Sequence, residues 1–284
     1  MAYIEVKDVC KQYSGHVAVN HVSMSVPDGS IYGILGPNGA GKTSLIRIIN
    51  RITHADSGEV LMHGRPMVDE DVRHIGYMPE ERGLYKKMKV RDQIIYLAQL
   101  RGMSKHDALV AMDEWLQRFN LTEWADKKLE QLSKGMAQKV QFITTVLHRP
   151  PLLIFDEPFS GFDPLNADIL KREILRLRDE GAAILFSTHN MSSVEEICQE
   201  ITLINHAQVV LQGKVSDIRQ QFKKNVLEVT TLDGQAFNYT LQPGETLHDA
   251  IARLNDEYAL AGFREVLPSM HDVFVESVKS SDYE

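Results

Sequence analysis

One eight-residue loop, rich in glycine, constrains the fold of this chain more than any other feature of its sequence. Residues 36–43 read Gly-Pro-Asn-Gly-Ala-Gly-Lys-Thr, a complete match to the pattern G-x-x-x-x-G-K-[ST]. A short apolar strand is predicted over 30–35, directly before the loop, and a helix over 42–50, directly after it. Glycines let backbone N–H groups close on phosphate oxygens, where a Cβ atom would obstruct them. The sequence therefore predicts a strand–loop–helix unit that binds a nucleoside triphosphate.

The residues of this loop have different expected roles. Lys42 supplies a mobile cation for the β- and γ-phosphates, and the Thr43 hydroxyl is a natural Mg²⁺ ligand. The helix that begins near Gly41 directs its N-terminal dipole at the same anion, and Ser44 can add one more phosphate contact. The predicted binding residues are Gly36, Pro37, Asn38, Gly39, Ala40, Gly41, Lys42, Thr43 and Ser44. A chance glycine loop is the alternative, but the flanking strand and helix favour the functional interpretation.

A pair of acids at the end of a buried strand is the second constraint. Residues 152–155, Leu-Leu-Ile-Phe, are followed directly by Asp156 and Glu157. Ionised carboxylates beside so apolar a run are costly unless they meet a cation. Asp156 is therefore expected to hold Mg²⁺, directly or through water, and Glu157 to orient and deprotonate an attacking water. An isolated Asp-Glu pair would more often be a solvated strand end, but the phosphate loop favours the catalytic reading.

Composition and charge exclude several functional classes. The 284 residues carry a net charge of −8, which gives no footprint for nucleic acid, so no nucleic-acid partner is expected. The two cysteines, Cys10 and Cys198, lie far apart in no metal-ligand spacing, which fits a reducing compartment. The start of the sequence lacks the features of a signal peptide, and no apolar run approaches the roughly 20 residues of a membrane helix. We expect a cytoplasmic chain.

Hydrophobic periodicity predicts the α/β class with a mixed, mainly parallel sheet. Strands predicted over 3–9 and 17–26 alternate in hydrophobicity and form an antiparallel portion. After residue 149, apolar runs alternate with helices, which indicates a parallel sheet covered on both sides. Between them, about 90–149 is a helical insert: Ser104 and Asp107 resemble a capping box, and the first helix keeps a stripe of Ile94, Leu97, Ala98 and Arg101.

The last part of the chain has the pattern of a separate small module. Two strand-like runs, 226–231 and 235–241, flank Asp233-Gly234 and predict a hairpin, followed by a helix, a strand and a short helix. We therefore expect a domain over 1–218 and an accessory α/β module over 219–284. Nothing in the module carries recognisable chemistry.

The segment between the two phosphate-site motifs identifies a family. Residues 132–136, Leu-Ser-Lys-Gly-Met, resemble the L-S-G-G-Q signature of ABC ATPases. Its physical basis is a helix N-terminus with a serine cap, which is an anion site in its own right. In this family the signature completes the site of the opposing subunit, so the resemblance implies that Ser133 and Gly135 bind the ATP of a second cassette in a head-to-tail homo- or heterodimer.

The remaining family motifs follow in order, and the resemblance covers residues 1 to about 218. Ser160-Gly161-Phe162-Asp163-Pro164 is similar to the D-loop, which crosses the dimer interface and would bring Asp163 to the nucleotide. His189, after Ser187-Thr188, resembles the switch histidine that hydrogen-bonds the γ-phosphate and the water. Tyr13 stands where the family has an aromatic residue that stacks on adenine; a core tyrosine at a strand edge is the alternative.

The chain departs from the family pattern at three positions. Glu80 stands where the Q-loop has a glutamine, Lys134 replaces the first signature glycine, and Met136 replaces the signature glutamine. Glutamine offers a neutral carbonyl and an amide donor, whereas ionised glutamate only accepts, so we expect Glu80 to steepen the Mg²⁺ requirement. Lys134 is expected to add positive charge near the γ-phosphate. The Glu80 and L-S-K-G pattern resembles the branch of exporters with ABC-2-type membrane partners, which also carries a C-terminal extension.

The resemblance implies the ATP-hydrolysing subunit of an ABC transporter, with ATP and Mg²⁺ as its ligands. Its implied catalytic residues are Glu157, His189 and Lys42, and its implied metal ligands are Thr43, Glu80 and Asp156. The implied partners are integral membrane transporter subunits and a second cassette, with the chain peripheral on the inner face of the cell membrane. The loop over 78–90 is the candidate contact with the membrane partner, or else an ordinary surface loop.

Two other functions stay open at this point. A soluble ABC ATPase, for example in cofactor or cluster assembly, would share the same motifs. A module that senses ATP without turnover is the second alternative, although intact Lys42, Asp156, Glu157 and His189 argue against it.

Overall fold

The computed structural model describes residues 2–81 and 83–282, and these divide into two compact units that meet between Gln212 and Gly213. The boundary predicted between residues 218 and 219 lies inside a helix of the second unit. Arg82, within the predicted partner loop, is outside the described residues. Along the described part of the chain, no helix is both long and apolar enough to cross a lipid bilayer.

The first unit contains most of the secondary structure. In chain order its elements are β1 (Ala2–Tyr13), β2 (His16–Pro27), β3 (Ile31–Leu35), α1 (Lys42–Ile49), β4 (Ser57–Met62), β5 (Arg65–Pro66), β6 (Ile75–Met78), α2 (Val90–Leu100), α3 (Lys105–Arg118), α4 (Lys134–Val146), β7 (Leu152–Asp156), α5 (Pro164–Asp179), β8 (Ala183–Thr188), α6 (Met191–Ile197), β9 (Glu200–Asn205) and β10 (Gln208–Lys214), whose last two residues enter the second unit. The second unit contains α7 (Val215–Gln221), β11 (Val226–Thr231), β12 (Ala236–Thr240), α8 (Leu247–Tyr258), β13 (Leu260–Val266) and α9 (Met270–Asp282).

A six-stranded sheet forms the centre of the first unit, in the order β10-β9-β3-β8-β7-β6. The pairs β9/β3, β3/β8, β8/β7 and β7/β6 are all parallel. Strands β3, β7 and β8 are buried along their whole length, as their continuous apolar runs predict. Because parallel strands end at the same edge of a sheet, the loops after β3, β7 and β8 are neighbours there.

The second sheet of this unit is antiparallel and holds α1 against the parallel sheet. Its strand order is β2-β1-β4-β5, with antiparallel pairing throughout. One core cluster joins both sheets through α1, and each fully buried aliphatic side chain in it contributes roughly 1.5 to 3 kcal/mol. Its members include Ile4, Val6, Val22 and Val26 from the antiparallel sheet, Leu45, Ile46 and Ile49 from α1, and Ile34, Ile154 and Leu185 from the parallel sheet. This packing fixes the helix that follows the glycine loop.

The helical insert is attached to the central sheet by an aromatic chain. Trp115 and Phe119 from the α3 segment pack on Phe142 of α4, which packs on Phe155 of β7, with 5.5 to 5.8 Å between the ring centroids of neighbours. Such pairs add about 0.5 to 1.5 kcal/mol each beyond the area they bury. The strand that ends in the acid pair is therefore packed directly against α4.

The predicted helix start at Ser104 is confirmed, with a small difference in its hydrogen bonds. Ser104 Oγ accepts from the Asp107 N–H at 3.1 Å and caps α3. The Asp107 carboxylate accepts from the Ser104 hydroxyl at 2.7 Å, whereas a complete capping box would use the Ser104 N–H. Of the predicted α2 stripe, Ile94 and Ala98 are buried.

The second unit has a small core of its own. Its three strands lie in the order β12-β11-β13, both pairs are antiparallel, and the hairpin predicted at Asp233-Gly234 is confirmed. α8 covers one face of this sheet. The cluster between them contains Leu227, Val229, Ala250 and Leu254.

His148, just after α4, makes the stability of the first unit sensitive to pH. Burial, and then the charge of Arg101, lower the pKa of His148 to about 4, and its Nε2 is buried without a hydrogen-bond partner among the described residues. The folded state favours neutral His148. Above pH 6.5 this histidine therefore does not lower the free energy of unfolding, and that free energy falls as the pH drops from 6.5 to about 4.

We expect a His148→Phe variant to lose less stability on acidification than the unaltered chain, by about 2 kcal/mol at pH 5. Urea unfolding at pH 7.5 and at pH 5 measures this difference. His106→Phe, at an exposed position of α3, is the control and should leave the pH dependence unchanged. Equal acid sensitivity in the unaltered chain and His148→Phe would contradict the assignment.

Candidate active site

The glycine loop after β3 is fitted tightly to neighbouring backbone. A Cβ atom at Gly36 would lie 2.2 Å from the carbonyl oxygen of Ile204, at the end of β9. At Gly41, where φ is +109°, a Cβ atom would lie 2.1 Å from the carbonyl oxygen of Ala18 in β2. Both distances are far shorter than any real contact, so another residue at either position would displace the backbone. The shape of the loop is therefore set by the two strands beside it.

Lys42, the first residue of α1, points into the curve of this loop. Its Nζ donates to the carbonyl oxygens of Gly36 at 2.7 Å and Pro37 at 3.1 Å, and the residue is buried. Burial lowers the pKa of Lys42, while the nearby carboxylates of Glu157, Asp156 and Glu80 act in the opposite direction. Burial is the larger influence, so the pKa of Lys42 is lowered overall.

Asp156 ends β7 and is held by hydroxyl groups on two sides. Its Oδ2 accepts from Thr43 Oγ1 at 3.2 Å, and its Oδ1 accepts from Ser187 Oγ at the end of β8. The carboxylate is buried beside Tyr77, whose pKa is raised to about 12 by burial and by the charge of Asp156. Asp156 is thus fixed in orientation and faces the hydroxyl of the glycine loop.

Glu157 turns the chain sharply after β7. Its φ of +48° lies in the left-handed region, which is uncommon for a residue with a side chain, and its N–H donates to the Ser187 carbonyl at 3.1 Å. This turn directs the carboxylate toward the end of β8. There Oε1 is 2.7 Å from His189 Nδ1, and Oε2 accepts from Thr188 Oγ1 at 3.3 Å. When the Glu157 carboxylate is ionised it only accepts, so Nδ1 of His189 is then the donor of this bond.

A cleft of about 430 Å³ collects most of the predicted site residues. It is lined by Tyr13, His16, Ala18, Asn38, Gly39, Ala40, Gly41, Lys42, Thr43, Ser44, Glu80, Asp156 and Glu157. A second cleft of about 590 Å³ shares Tyr13, Thr43, Glu80 and Asp156 with it. His16 was missed by the sequence analysis, because a histidine beside a turn carries no recognisable signal. Tyr13 is 39% exposed at the cleft and is therefore not a core residue.

Ser133, Gly135 and Asp163 are not among the lining residues of this cleft. Ser133 caps α4, with its Oγ accepting from the Met136 N–H at 3.3 Å. Gly135 has no strained backbone, and a Cβ atom there would meet only Phe162 at 3.8 Å, an ordinary contact. The glycine at 135 is therefore not required by packing within this chain.

Asp163 and Lys134 make contacts within their own chain that the sequence analysis did not predict. Asp163 caps α5, where it accepts from the Asn166 side chain at 2.6 Å and from its N–H at 3.0 Å; these bonds lower the pKa of Asp163. The Lys134 side chain lies over Gly161, so close that a Cβ atom there would be 2.3 Å from its Nζ. In this structure the Lys134 ammonium, which was predicted to lie near the γ-phosphate, lies against Gly161 in the D-loop.

Comparisons with known proteins agree with this geometry. A family model described as ABC transporter matches residues 19–160, and one described as an AAA domain matches residues 127–195. An uncharacterized ABC transporter ATP-binding protein of Bacillus subtilis, YhaQ, is 40% identical over 97% of this chain and 98% of its own length. The lipopolysaccharide export system ATP-binding protein LptB of Escherichia coli is 29% identical, covering 78% of this chain and 94% of LptB. Among solved structures, an ATP-binding subunit of an ABC transporter is 30% identical and reaches a TM-score of 0.72, covering 78% of this chain and 93% of that chain.

The matched family segment contains the glycine loop, the Ser133 signature and the acid pair, and the similarity to YhaQ extends over nearly the whole sequence. These findings confirm the resemblance to the ABC ATPases that was drawn from the motifs. The chain belongs to the ABC transporter family of ATP-binding proteins and is an ATPase with the α/β cassette fold of that family.

Proposed function

We propose that this ATPase binds MgATP in the cleft beside Lys42 and couples its hydrolysis to the export of a substrate through separate membrane subunits. One observation carries the catalytic part of the proposal: the buried Glu157 carboxylate is 2.7 Å from His189 and lies at the same sheet edge as Lys42 and Asp156. A positioned carboxylate beside a phosphate cradle is what removal of a proton from an attacking water requires.

Each residue of the cleft has its own role in the proposed reaction. The loop N–H groups and Lys42 hold the β- and γ-phosphates, and Tyr13 stacks on the adenine. Glu157 accepts a proton from the water that attacks the γ-phosphorus, and the leaving group is ADP. His189 keeps the Glu157 carboxylate in place through Nδ1. Its other ring nitrogen donates to the γ-phosphate when that nitrogen also carries a hydrogen.

The donor set at Asp156 fits a magnesium ion. Thr43 and Asp156 offer oxygen ligands 3.2 Å apart, and the Glu80 carboxylate lines the same cleft. Among the described residues, no three His, Cys, Asp or Glu side chains gather into a metal cluster. Mg²⁺ usually takes one or two carboxylates together with substrate phosphates, and Asp156 and Glu80 would supply these carboxylates here. When bound, the ion neutralises charge on the phosphates.

A second cassette is proposed to complete the site. Ser133 and Gly135, at the start of α4, do not line the cleft, and a Cβ atom at Gly135 would meet nothing closer than Phe162 at 3.8 Å. We assign this helix start to the γ-phosphate held by the other cassette, so that two ATP molecules lie between two subunits. Asp163 approaches the same interface, with its helix cap fixing the backbone before α5.

The membrane partner is proposed to dock beside the loop over 78–90. In its described residues, this loop borders a groove of about 520 Å³ whose apolar lining includes Leu84, Leu97 and Leu100. Tyr85 is 55% exposed and packs edge-on against Tyr96. Exposed apolar side chains around a groove are typical of a protein contact surface. Export is favoured by the similarity to LptB, an ATP-binding protein of an export system.

Purification of the tagged chain from native membranes tests the proposal. We expect a polytopic membrane protein to co-purify with it, and replacing Leu97 and Leu100 by serine to reduce the recovery of that protein. The matched control replaces the exposed Val110 of α3 by serine. Recovery of the intact chain without any membrane protein would favour a soluble ABC ATPase instead.

Glu80 is expected to make ATP binding depend steeply on Mg²⁺. Its ionised carboxylate repels a metal-free triphosphate, whereas the amide of a Glu80→Gln variant does not. The ratio of ATP dissociation constants in EDTA and in Mg²⁺ should therefore fall about tenfold in Glu80→Gln, as a charge contact of about 1 to 2 kcal/mol implies. Fluorescence titration with a labelled ATP measures both constants.

Glu81→Gln is the matched control, since it removes the same charge one residue away. Its ratio should stay close to that of the unaltered chain. An unchanged ratio in Glu80→Gln would show that Glu80 does not approach the metal-bound phosphates.

A further inference from the structure

Two glutamines of α4 that belong to none of the predicted site motifs are buried. Gln138 is 5% exposed and Gln141 is 4% exposed, although glutamine is mostly found at the surface. Three residues apart on a helix, they lie on the same face, and both point away from solvent. Each amide donates to a backbone carbonyl in a different loop of the active site.

Gln141 is bonded to the loop that carries Glu80. Its Nε2 donates to the Pro79 carbonyl at 2.8 Å, and it lies 3.4 Å from the Glu81 carbonyl, at the long limit of a hydrogen bond. The two acceptors flank Glu80 on either side. The position of the Glu80 backbone is therefore tied to α4 by one side-chain amide.

Gln138 is bonded to the loop that carries Glu157. Its Nε2 donates to the Pro158 carbonyl at 2.9 Å, directly after the left-handed turn at Glu157. The Oε1 atom of the same amide is buried without a hydrogen-bond partner among the described residues. Burying an amide oxygen without a hydrogen-bond partner costs free energy. The same side chain fixes the position of the Pro158 carbonyl through its Nε2.

We propose that Gln138 and Gln141 are positioning residues that transmit the placement of α4 to Glu157 and Glu80, respectively. α4 begins at the Ser133 cap, and Gln141 lies only about 12 Å along the helix from it, at a rise of about 1.5 Å per residue. A displacement of the helix start by a ligand therefore moves both loops together. This inference rests on the proposed roles of Glu80 and Glu157, and it adds the path that connects them to the signature helix.

Methionine replacements separate positioning from packing, because methionine is close to glutamine in length but has no amide donor. In Gln141→Met we expect the Mg²⁺ concentration for half-maximal binding of fluorescent ATP to rise about fivefold, while kcat at saturating Mg²⁺ changes less than about threefold. In Gln138→Met we expect kcat to fall about tenfold or more, with the Mg²⁺ midpoint unchanged. Gln117→Met, at an exposed position of α3, should alter neither quantity.

Amide hydrogen exchange gives a readout that does not depend on activity. Exchange should quicken around residues 79–84 in Gln141→Met only, and around residues 158–163 in Gln138→Met only. If a methionine variant fails to fold, Gln→Leu at the same position removes the same donor and takes its place. Parallel changes in both variants, or no change in either loop, would overturn the proposal.

A failure of the proposed role of Glu80 can be distinguished from a failure of the proposed connection to α4. If Glu80→Gln leaves the Mg²⁺ dependence unchanged while Gln141→Met still loosens its own loop, the role of Glu80 is wrong and the connection to α4 stands. If Glu80→Gln behaves as expected but the exchange pattern of Gln141→Met does not change, the connection itself is refuted.

Discussion

A Glu157→Gln protein is expected to bind ATP as tightly as the unaltered chain and to hydrolyse it roughly 100- to 1000-fold more slowly. The amide is nearly the same shape as the carboxylate, so the cleft and the contact with His189 lose little geometry. It cannot take a proton from water, which is the task assigned to the group 2.7 Å from His189. Because the nucleotide then persists, two copies of the variant should stay associated in the presence of ATP and Mg²⁺.

Steady-state phosphate release and size-exclusion chromatography with ATP and Mg²⁺ measure the two parts of this expectation. Glu180→Gln is the matched control, since Glu180 is an exposed glutamate in an ion pair with Arg176 at the end of α5. It should leave both turnover and association unchanged. A Glu157→Gln protein that neither retains nucleotide nor forms pairs would refute the mechanism.

Replacing Lys42 by alanine is expected to weaken ATP binding roughly 100-fold and to remove measurable turnover. The ammonium is buried inside the glycine loop, where its charge would act on the β- and γ-phosphates with little screening by bulk water. Its removal also leaves Asp156, Glu157 and Glu80 facing the triphosphate without their shared cation. The variant therefore loses the attraction between Lys42 and the phosphates, and the repulsion between the three carboxylates and the phosphates is no longer offset.

Equilibrium binding of fluorescent ATP measures the loss, with circular dichroism as the check that the fold is intact. Lys105→Ala removes an exposed lysine at the start of α3 and serves as the control of equal charge. Its ATP affinity should match that of the unaltered chain. An affinity loss below about threefold in Lys42→Ala would mean that the lysine does not contact the phosphates.

The parallel sheet and its site could be predicted together, because the strands and the site residues are adjacent in the sequence. Continuous apolar runs such as 152–155 indicate buried strands, and polar residues directly after them must lie at the shared sheet edge. Asp156, Glu157 and the glycine loop were therefore expected together and lie together. The strand β6 was not predicted, because its four residues, Ile75–Met78, are too few to show a period.

Other features depend on contacts that no local pattern contains. The acceptor of Gln141 lies 62 residues earlier in the chain, so a glutamine on a helix gives no sign of its buried bond. The left-handed backbone of Glu157 was equally hidden, since glutamate has no preference for that conformation. The contacts of Asp163 and Lys134 within their own chain were hidden as well, because the family motifs imply contacts with a nucleotide and a second cassette and say nothing of contacts within one subunit.

The left-handed turn at Glu157 bears on how this enzyme would respond to laboratory evolution. Asparagine tolerates φ of +48° better than glutamate does, and Glu157→Asn would also remove a buried carboxylate. Variants selected for heat resistance alone would thus tend to lose the carboxylate that we propose activates the attacking water. At this one position, selection for thermal stability and selection for ATP turnover would favour different residues.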